Sequence, residues 1–480
     1  MERNSLSKST FIRGVQCLKS LYLYKKRYFL RDPLSLEQQA VFSRGTNLGI
    51  LARQLFPGGK DATPVSPFQY SRSVALTTDW IAKGEKVIYE AAFQHEKILV
   101  MLDILIHTPQ GWIGIEVKSS RSVSETYLLD AALQYYVITG SGMQLADIRI
   151  LYINGDYIRG SEIELEQLFT SQSVSEQVLS RLDFIREQIQ REQEVILLPH
   201  APLVRVGLHC HNPYTCDFIG HCWRNHPRPS IFDLDAFSPE EQQNLSDAGF
   251  QSIENLAGFS ELTRHQQIQI DSHLSGEVFM EKDALETFIN TTETPFAYLK
   301  LLYCRPALPL YNGTRPYAHL PYAFALLSGE RGAEPLVFIA PPGIDPRIVL
   351  AEQLKMNVAT YRTLLVSGQV SEVISELDHL HTKAEVIDLL TPFTERMIYH
   401  PGLIGGQKLA EITGYHSQGT IPGKGSIMSD TMAGVRYLAL TDALEGEGYS
   451  QELGEIGRYA SQCAGEMAAL HHWLTVKARE

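Results

Sequence analysis

Two acidic residues lie inside apolar stretches separated by a turn, and this pattern restricts how the first half of the chain can fold. Residues 98–106 read ILVMLDILI, so Asp103 interrupts a run that is typical of a strand buried on both faces. Residues 108–111 read TPQG and predict a turn, and residues 112–118, which contain Glu116, predict the return strand. Burying a carboxylate is costly unless it is paired or binds a metal ion. The sequence therefore predicts a β-hairpin with a charged face.

The second strand of this hairpin carries a carboxylate beside an ammonium group. Because side chains alternate along a strand, Glu116 and Lys118 point to the same face. Asp103 and Glu116, on adjacent strands, could bind Mg²⁺ or Mn²⁺ through hard oxygen ligands and leave positions for water and a phosphate. Lys118 could then orient the attacking water or offset charge on the phosphate. The alternative is a buried Glu–Lys ion pair in an ordinary hairpin.

Further polar residues lie before and after the hairpin in the sequence. Helical spacing after it predicts a helix that ends near Gly140 and carries Gln134, and residues 148–153 predict another strand, so the order is β-β-α-β. Glu90 lies in an earlier apolar stretch, residues 87–93. With these residues the sequence resembles the PD-(D/E)XK nucleases of the RecB type.

This resemblance implies an α/β, restriction-endonuclease-like core and assigns roles within it. Asp103, Glu116 and Lys118 would be catalytic, and Gln134 would help to hold the active site or the substrate. Asp103 and Glu116 would bind the metal, with Glu90 as an auxiliary ligand. Several of these nucleases have a histidine metal ligand on an early helix, but the corresponding residues 45–53 here contain none.

Four of the six cysteines form a second pattern. Cys210, Cys216 and Cys222 are separated by five residues each, and Cys17 lies far upstream. Four thiolates suit a [4Fe–4S] cluster or a zinc ion, and the nearby histidines at 209, 211, 221 and 226 keep zinc open. Free structural cysteines are the third alternative. The arrangement is similar to that of CRISPR-adaptation and AddB-type nucleases, which implies an iron–sulfur cluster with a structural role.

The N-terminal segment is basic, although the chain as a whole is acidic. The formal net charge is −13, yet residues 3–31 contain eight Lys or Arg residues and no Asp or Glu. Three tyrosines are interleaved with them. This segment predicts contacts with a nucleic-acid backbone, and a solvated basic helix face is the alternative. The predicted DNA-binding residues are Arg13, Lys19, Lys25, Lys26 and Arg27.

The C-terminal half resembles a DnaQ-like, RNase H-fold exonuclease that an uncharacterised bacterial family joins to such a nuclease. The similarity lies in residues 313–317, 387–390 and 399–401. A working exonuclease of this kind needs an Asp-x-Glu on its first strand and a late Asp to bind two metal ions. Lys300, Leu302 and Cys463 stand at the expected positions, and Asp388 remains. The resemblance therefore implies a degenerate domain that binds DNA or a protein partner, or supports the first domain.

Length and composition complete the predicted organisation. A chain of 480 residues predicts two or three domains. We expect a nuclease domain with the cysteine site at residues 1–230, a helical connector at 231–284, either a helix-hairpin-helix or a plain link, and the RNase H-like domain at 285–480. No apolar run is long enough to cross a bilayer and the N-terminus lacks the apolar core of a signal peptide, so a cytoplasmic protein without membrane contacts is expected.

Together these patterns predict a Mg²⁺- or Mn²⁺-dependent deoxyribonuclease that acts on single strands or duplex ends, with RNA left open as a substrate. A role in repair, recombination or phage defence follows by family analogy. One alternative is a nucleic-acid-binding or scaffold protein that retains a nuclease fold without cleavage. Another is an interaction protein stabilised by zinc.

Overall fold

Contacts between residues divide the chain into two units. The structure is a computed structural model and describes residues 5–33, 48–66, 69–368, 370–375, 383–403, 412, 427–441 and 447–480. Unit 1 consists of residues 1–225 and 307–317, and unit 2 of residues 226–306 and 318–480. Within the described ranges, no helix combines the length and apolarity that a membrane span requires.

Unit 1 is built on a seven-stranded mixed sheet. The order is β2-β3-β4-β5-β6-β7, and β1 pairs with one end of β4. β3, β4 and β5 are antiparallel neighbours, whereas β5 and β6 are parallel. The strands are β1 (Leu6–Ser7), β2 (Lys60–Asp61), β3 (Val87–His95), β4 (Ile98–Thr108), β5 (Gly111–Lys118), β6 (Leu145–Ile153) and β7 (Phe169–Ser173).

Helices cover this sheet, and one of them makes the crossover between the parallel strands. The helices of unit 1 are α1 (Lys8–Gln16), α2 (Leu18–Lys26), α3 (Tyr70–Ala82), α4 (Glu125–Gly140), α5 (Leu165–Leu168), α6 (Ser175–Leu179), α7 (Leu182–Leu197) and α8 (Ile219–Cys222). α4 joins β5 to β6, and the Ser124 hydroxyl caps its first turn by accepting from the Tyr127 N–H. α1 follows β1 directly because Ser7 and Thr10 form a capping box at its start.

One edge of β4 has a gap in its pairing, and this gap positions the site described below. β3 pairs with β4 along one edge, from Ile98 to Ile106. On the other edge, β1 pairs with Ile98 and Leu99, and β5 pairs from Ile104 onward. No strand of the described chain pairs with residues 100–103 on that edge, since β5 turns away there while it continues along β6. The opening leaves room for side chains between the strands.

The predicted hairpin and the helix after it are confirmed by β4, β5 and α4. The sequence of residues 161–195 is typical of acidic and amphipathic helices, but residues 169–173 form the strand β7. Their sequence, FTSQS, has little apolar content of its own, and they adopt the strand because β6 offers an unpaired edge. The sequence of residues 10–56 predicts a mostly helical stretch, and residues 34–47 of it lie outside the described residues.

Unit 2 contains a five-stranded mixed sheet with the order β11-β10-β9-β12-β13. β10 is antiparallel to both β9 and β11, whereas β12 runs parallel to β9 and to β13. The strands of unit 2 are β8 (Phe279–Met280), β9 (Phe296–Cys304), β10 (Leu320–Ser328), β11 (Leu336–Ile339), β12 (Thr363–Val366), β13 (Glu385–Asp388) and β14 (Ile398–Tyr399). β8 and β14 form a separate pair.

Helices pack on both the central and the outer strands of this sheet. They are α9 (Pro239–Asp247), α10 (Arg264–Ser275), α11 (Lys282–Ile289), α12 (Pro346–Val358), α13 (Val370–Ser375), α14 (Thr391–Thr394), α15 (Asp430–Ala439) and α16 (Glu447–Arg479). α16 packs on β9 and β10, and α15 packs on β9. The rings of Tyr322 and Tyr437 stack with centroids 4.0 Å apart in this layer.

The observed division differs from the predicted domains in two places. Residues 231–284, predicted as a connector, belong to the compact part of unit 2, where β8 pairs with β14. Whether α9 and α10 act as a helix-hairpin-helix stays a prediction. Residues 307–317 lie within the predicted C-terminal domain but pack in unit 1, where Ala307 joins the core beside Leu48 and Ile104.

A buried carboxyl group on α7 makes the stability of unit 1 depend on pH. Burial raises the pKa of Glu192 to about 9, and Gly14 of α1 approaches its side chain so closely that a Cβ atom would lie 2.3 Å from it. Between the ordinary pKa of a glutamate and about 9, the folded state keeps a proton on Glu192 that the unfolded state has released. The contribution of Glu192 to the stability of unit 1 is therefore full at acidic pH and declines as the pH rises towards 9.

We predict that Glu192→Gln reduces the loss of thermal stability between pH 6 and pH 9, because the amide is neutral throughout. Melting temperatures across this range, measured for the wild type and the variant, test it. Glu194→Gln, on the exposed side of the same helix, should follow the wild-type curve. Parallel curves for wild type and Glu192→Gln would contradict the assignment.

Candidate active site

The gap along β4 brings Asp103 and Glu116 together. The register of β4 and β5 pairs Ile104 with Ile115, and continuing it by one residue places Asp103 opposite Glu116. The strands separate at this point, and Asp103 Oδ2 accepts a hydrogen bond of 2.6 Å from the Val117 N–H. Glu116 is only 2 % exposed. Two carboxylates thus face one small space beside the sheet.

Lys118 connects Glu116 to a second acidic residue that the sequence analysis did not single out. Its Nζ atom lies 2.8 Å from Glu116 Oε1 and 2.6 Å from Asp130 Oδ2. The same ammonium stands 5.1 Å from the centre of the Tyr127 ring. These contacts hold the lysine in one position beside the carboxylates.

α4 provides both Asp130 and Gln134, one turn apart on the same face of the helix. Gln134 is fully buried, and its Nε2 donates a hydrogen bond of 2.7 Å to Glu116 Oε2. The structure therefore brings together Asp103, Glu116, Lys118 and Gln134, which the sequence analysis selected. The i, i+4 spacing of a carboxylate and an amide on an otherwise apolar helix was the signal that could have revealed Asp130.

Lys8, at the start of α1, is the other unforeseen member of the site. Its Nζ lies 2.5 Å from Glu116 Oε1 and 3.7 Å from Asp130 Oδ2. It arrives here because β1 pairs with β4 immediately before the gap. In the sequence Lys8 is one of several basic residues in its segment, so no local pattern distinguishes it.

Glu90, the predicted auxiliary ligand, stands at the edge of this group on β3. The register of β3 and β4 places it opposite Asp103, and its backbone has a φ of 52°, which is unusual for a residue other than glycine. Its carboxylate accepts a hydrogen bond of 2.9 Å from Arg53. Burial raises the pKa of Glu90, and the nearby Glu116 contributes in the same direction.

The carboxylates of the site interact strongly through a poorly solvated space. Burial and the charge of Glu116 raise the pKa of Asp103 to about 7. Burial would also raise the pKa of Glu116, but the ammonium groups of Lys118 and Lys8 outweigh this effect and lower it. Four carboxylates, at residues 90, 103, 116 and 130, are accompanied by three cations, at residues 8, 53 and 118. Because Arg53 also pairs with Asp61, the carboxylates outnumber the cations, and this excess acts most strongly on Asp103.

The chemistry of these donors fits a hard divalent cation, although their present arrangement does not enclose one. Buried carboxylates that repel each other, as Asp103 and Glu116 do, gain stability from a cation placed between them. Across the described part of the chain, no three His, Cys, Asp or Glu side chains are already gathered around one point as metal ligands. At Glu116 the ammonium of Lys8 lies 2.5 Å from Oε1 and offsets part of the negative charge.

The four predicted cysteine ligands line a single small pocket in unit 1. Cys17, Cys210, Cys216 and Cys222 all border it, and His209 borders it as well. Burial raises the pKa of the Cys222 thiol, and the other three thiols add to this effect. The cavity is about 20 Å³, the space of one water-sized sphere. The described thiols and histidines are not gathered around one point as metal ligands, so a single ion or a cluster would require the thiols to move.

The predicted DNA-binding residues fall into three groups. Arg13 forms an ion pair of 2.7 Å with Asp217, and Lys25 donates a hydrogen bond of 2.5 Å to the Ser5 carbonyl, so both serve the fold. Lys19 borders the cysteine pocket. Lys26 and Arg27, at the end of α2, are exposed to solvent. Contact with nucleic acid stays a prediction for all five.

Residues 307–317 support the end of β5, directly after Lys118. The Tyr317 hydroxyl donates a hydrogen bond to the carbonyl of Ser119. The backbone of the segment is fixed by Arg159, whose N–H donates to the Thr314 carbonyl at 3.0 Å and whose carbonyl accepts from Gly313 at 2.8 Å. The strand end that carries Lys118 is thus held by residues about two hundred positions later in the chain.

Unit 2 has its own buried polar group at the positions where the sequence analysis expected lost catalytic acids. Lys300 of β9 is buried, and its Nζ lies 2.8 Å from Asp430 Oδ2. The Tyr459 hydroxyl donates a hydrogen bond of 2.8 Å to Asp430 Oδ1, and Cys463 lies near Lys300. Asp388 is separate from this group, and its carboxylate accepts from the N–H groups of Gly368 and Leu390. An ion pair therefore occupies this part of the sheet.

We predict opposite effects on stability for two conservative changes in the unit 1 site, measured by urea unfolding at pH 8 with EDTA. Glu116→Gln should lower the free energy of unfolding by about 3 kcal/mol, because two buried ammonium groups lose their shared partner. Asp103→Asn should leave it unchanged or raise it, because repulsion from Glu116 is removed and the amide oxygen can still accept from Val117. Equal losses for the two variants would contradict the charge balance given above.

Comparison with known proteins gives a match in the second half of the chain. Residues 303–407 are similar to a family described as a domain of unknown function (DUF2779). The match begins at the end of β9, includes residues 307–317 of unit 1, and extends beyond β14. No curated protein matches the chain. Less than a quarter of the sequence is thus related to a described family, which has no assigned activity.

Proposed function

We propose that unit 1 is a metal-dependent nuclease that hydrolyses phosphodiester bonds in DNA. The observation that carries the proposal is the meeting of Asp103, Glu116 and Lys118 at the gap between β4 and β5. The order α3-β3-β4-β5-α4-β6 supports it, since a helix, three antiparallel strands and a helical crossover to a parallel strand agree with the restriction-endonuclease-like core that the sequence resembles.

Each residue of the site has a distinct role in this proposal. Asp103 and Glu116 would hold Mg²⁺ or Mn²⁺, with Glu90 as an auxiliary ligand once it leaves Arg53. The bound metal would activate water and offset the charge of the reacting phosphate. Lys118 donates hydrogen bonds towards the same space and can orient the water, while Asp130 fixes the lysine. Gln134 fixes the carboxylate of Glu116.

The cysteine pocket is proposed to hold a [4Fe–4S] cluster that stabilises unit 1. Its support is the convergence of Cys17 with three cysteines about two hundred residues later, in a protein region with several histidines. The small volume of the pocket and the position of His209 Nε2, 3.8 Å from Cys210 Sγ, favour the zinc alternative. Either occupant would join the N-terminal segment to the end of the unit.

Unit 2 is proposed to be a degenerate RNase H-fold domain without its own catalysis. When β9 to β13 are numbered 1 to 5 along the chain, their order across the sheet is 3-2-1-4-5. The second of them, β10, is antiparallel to the others, and this arrangement agrees with the RNase H fold. The Lys300–Asp430 ion pair stands where two metal ions would need carboxylates. A surface for DNA or a protein partner is the remaining role we propose for it.

One observation favours a second candidate, a scaffold that binds nucleic acid without cutting it. Both oxygens of Glu116 already have partners, since Oε1 accepts from Lys8 and Lys118 and Oε2 accepts from Gln134. A buried carboxylate held by three donors can serve stability alone. The raised pKa of Asp103 favours the nuclease, because a purely structural cluster gains nothing from an uncompensated buried carboxylate.

We predict that Glu116→Gln abolishes Mn²⁺-dependent cleavage of end-labelled single-stranded DNA and that Lys118→Met lowers the rate by about 10²- to 10³-fold, as loss of a transition-state donor does. Glu166→Gln, an exposed change elsewhere in unit 1, should cut at the wild-type rate. Gel assays of all four proteins under identical conditions measure this. Cleavage at wild-type rates by both site variants would refute the proposal.

We predict that the full chain, purified without oxygen, is brown and absorbs visible light, and that Cys17→Ser and Cys222→Ser lose most of the iron. Cys304→Ala is the matched control, because that buried thiol belongs to unit 2 and not to the pocket. Iron, zinc and sulfide analysis gives the result. A colourless protein with stoichiometric zinc would contradict the cluster and support zinc as the occupant of the pocket.

A further inference from the structure

Lys8 enters the candidate active site from a distant part of the sequence and contacts its central carboxylate. Its Nζ atom lies 2.5 Å from Glu116 Oε1, and its side chain is 28 % exposed. It begins α1, directly after the short strand that pairs with β4. Its position is therefore set by the backbone of the sheet rather than by its own flexible side chain alone.

A divalent cation that binds through Glu116 Oε1 has to displace one of the two lysines that already donate to that oxygen. Three donors share the two oxygens, namely Lys8, Lys118 and Gln134. Gln134 is fully buried in the core of the unit and cannot withdraw without opening α4. Displacement must therefore fall on one of the two lysines.

Of the two lysines, Lys8 has less additional support. Lys118 is also bound to Asp130 at 2.6 Å and is 15 % exposed. Lys8 lies 3.7 Å from the same carboxylate, and its more exposed side chain has a route to solvent. An ammonium and a divalent cation compete directly for a carboxylate oxygen, so the binding of one disfavours the other.

We propose that Lys8 is a built-in competitor of the active-site metal: its ammonium occupies the position at Glu116 that a divalent cation takes, and it withdraws when the cation binds. The inference rests on the proposed metal site of unit 1. It makes the N-terminal helix part of the control of metal affinity. The ammonium of Lys8 also offsets the charge of the buried Glu116 carboxylate.

The test is a titration of the full chain with Mn²⁺ in the absence of nucleic acid, with free Mn²⁺ measured by electron paramagnetic resonance. Lys8→Met, which keeps the length of the side chain and removes its charge, should bind Mn²⁺ roughly tenfold more tightly than the wild type. Lys8→Arg should bind like the wild type or more weakly. Lys97→Met, an exposed change in the same unit, should have no effect.

A second readout keeps the test independent of folding defects. Lys8→Met should melt at a lower temperature than the wild type without metal, and saturating Mn²⁺ should raise its melting temperature by more. Unchanged or weaker Mn²⁺ binding by Lys8→Met would overturn the inference. If Lys8→Met gives such a result while the wild type binds Mn²⁺ and Glu116→Gln does not, the inference about Lys8 fails and the proposed metal site stands. If no variant binds Mn²⁺, both the inference and the proposed metal site fail.

Discussion

The buried carboxylate of Glu116 is the interaction on which the arrangement of unit 1 depends. A charge with 2 % exposure persists only when neighbouring groups compensate it, and here two ammonium groups and an amide do so. These partners come from three different elements, α1, β5 and α4, which must be fixed relative to one another for the charge to be tolerated. The cluster therefore joins the N-terminal segment, the central hairpin and the crossover helix in a single network.

Helix α1 connects the two candidate sites of the unit. Lys8 stands at its first position, and Cys17, which borders the cysteine pocket, follows its last residue. A helix of this length is a rigid element about 13 Å long. An ion or cluster in the pocket would thus restrain the helix that carries Lys8. The structural role proposed for the cysteines and the chemistry proposed for Glu116 meet in one segment of the chain.

The sequence was informative wherever local pattern and burial coincided. The hairpin and α4 were predictable because apolar runs and turn residues are local signals. The convergence of Cys17 with the three later cysteines was expected from the family resemblance and not from local spacing. Lys8 and the segment at 307–317 were not, because their positions are decided by long-range pairing with β4 and by packing beside Ile104. The strand β7 was not predicted for the same reason, because its pairing with the open edge of β6 determines its conformation. Asp130 could have been found from its spacing to Gln134.

The account depends most on the claim that the Asp103–Glu116 pair is a metal site, and a crystal of the full chain soaked in Mn²⁺ tests this directly. Anomalous scattering should give a peak at bonding distance from both carboxylates, with the ammonium of Lys8 moved away from Glu116. A map without a peak at saturating Mn²⁺, in which Lys8 still contacts Glu116, would contradict the account and leave the cluster as a purely structural network.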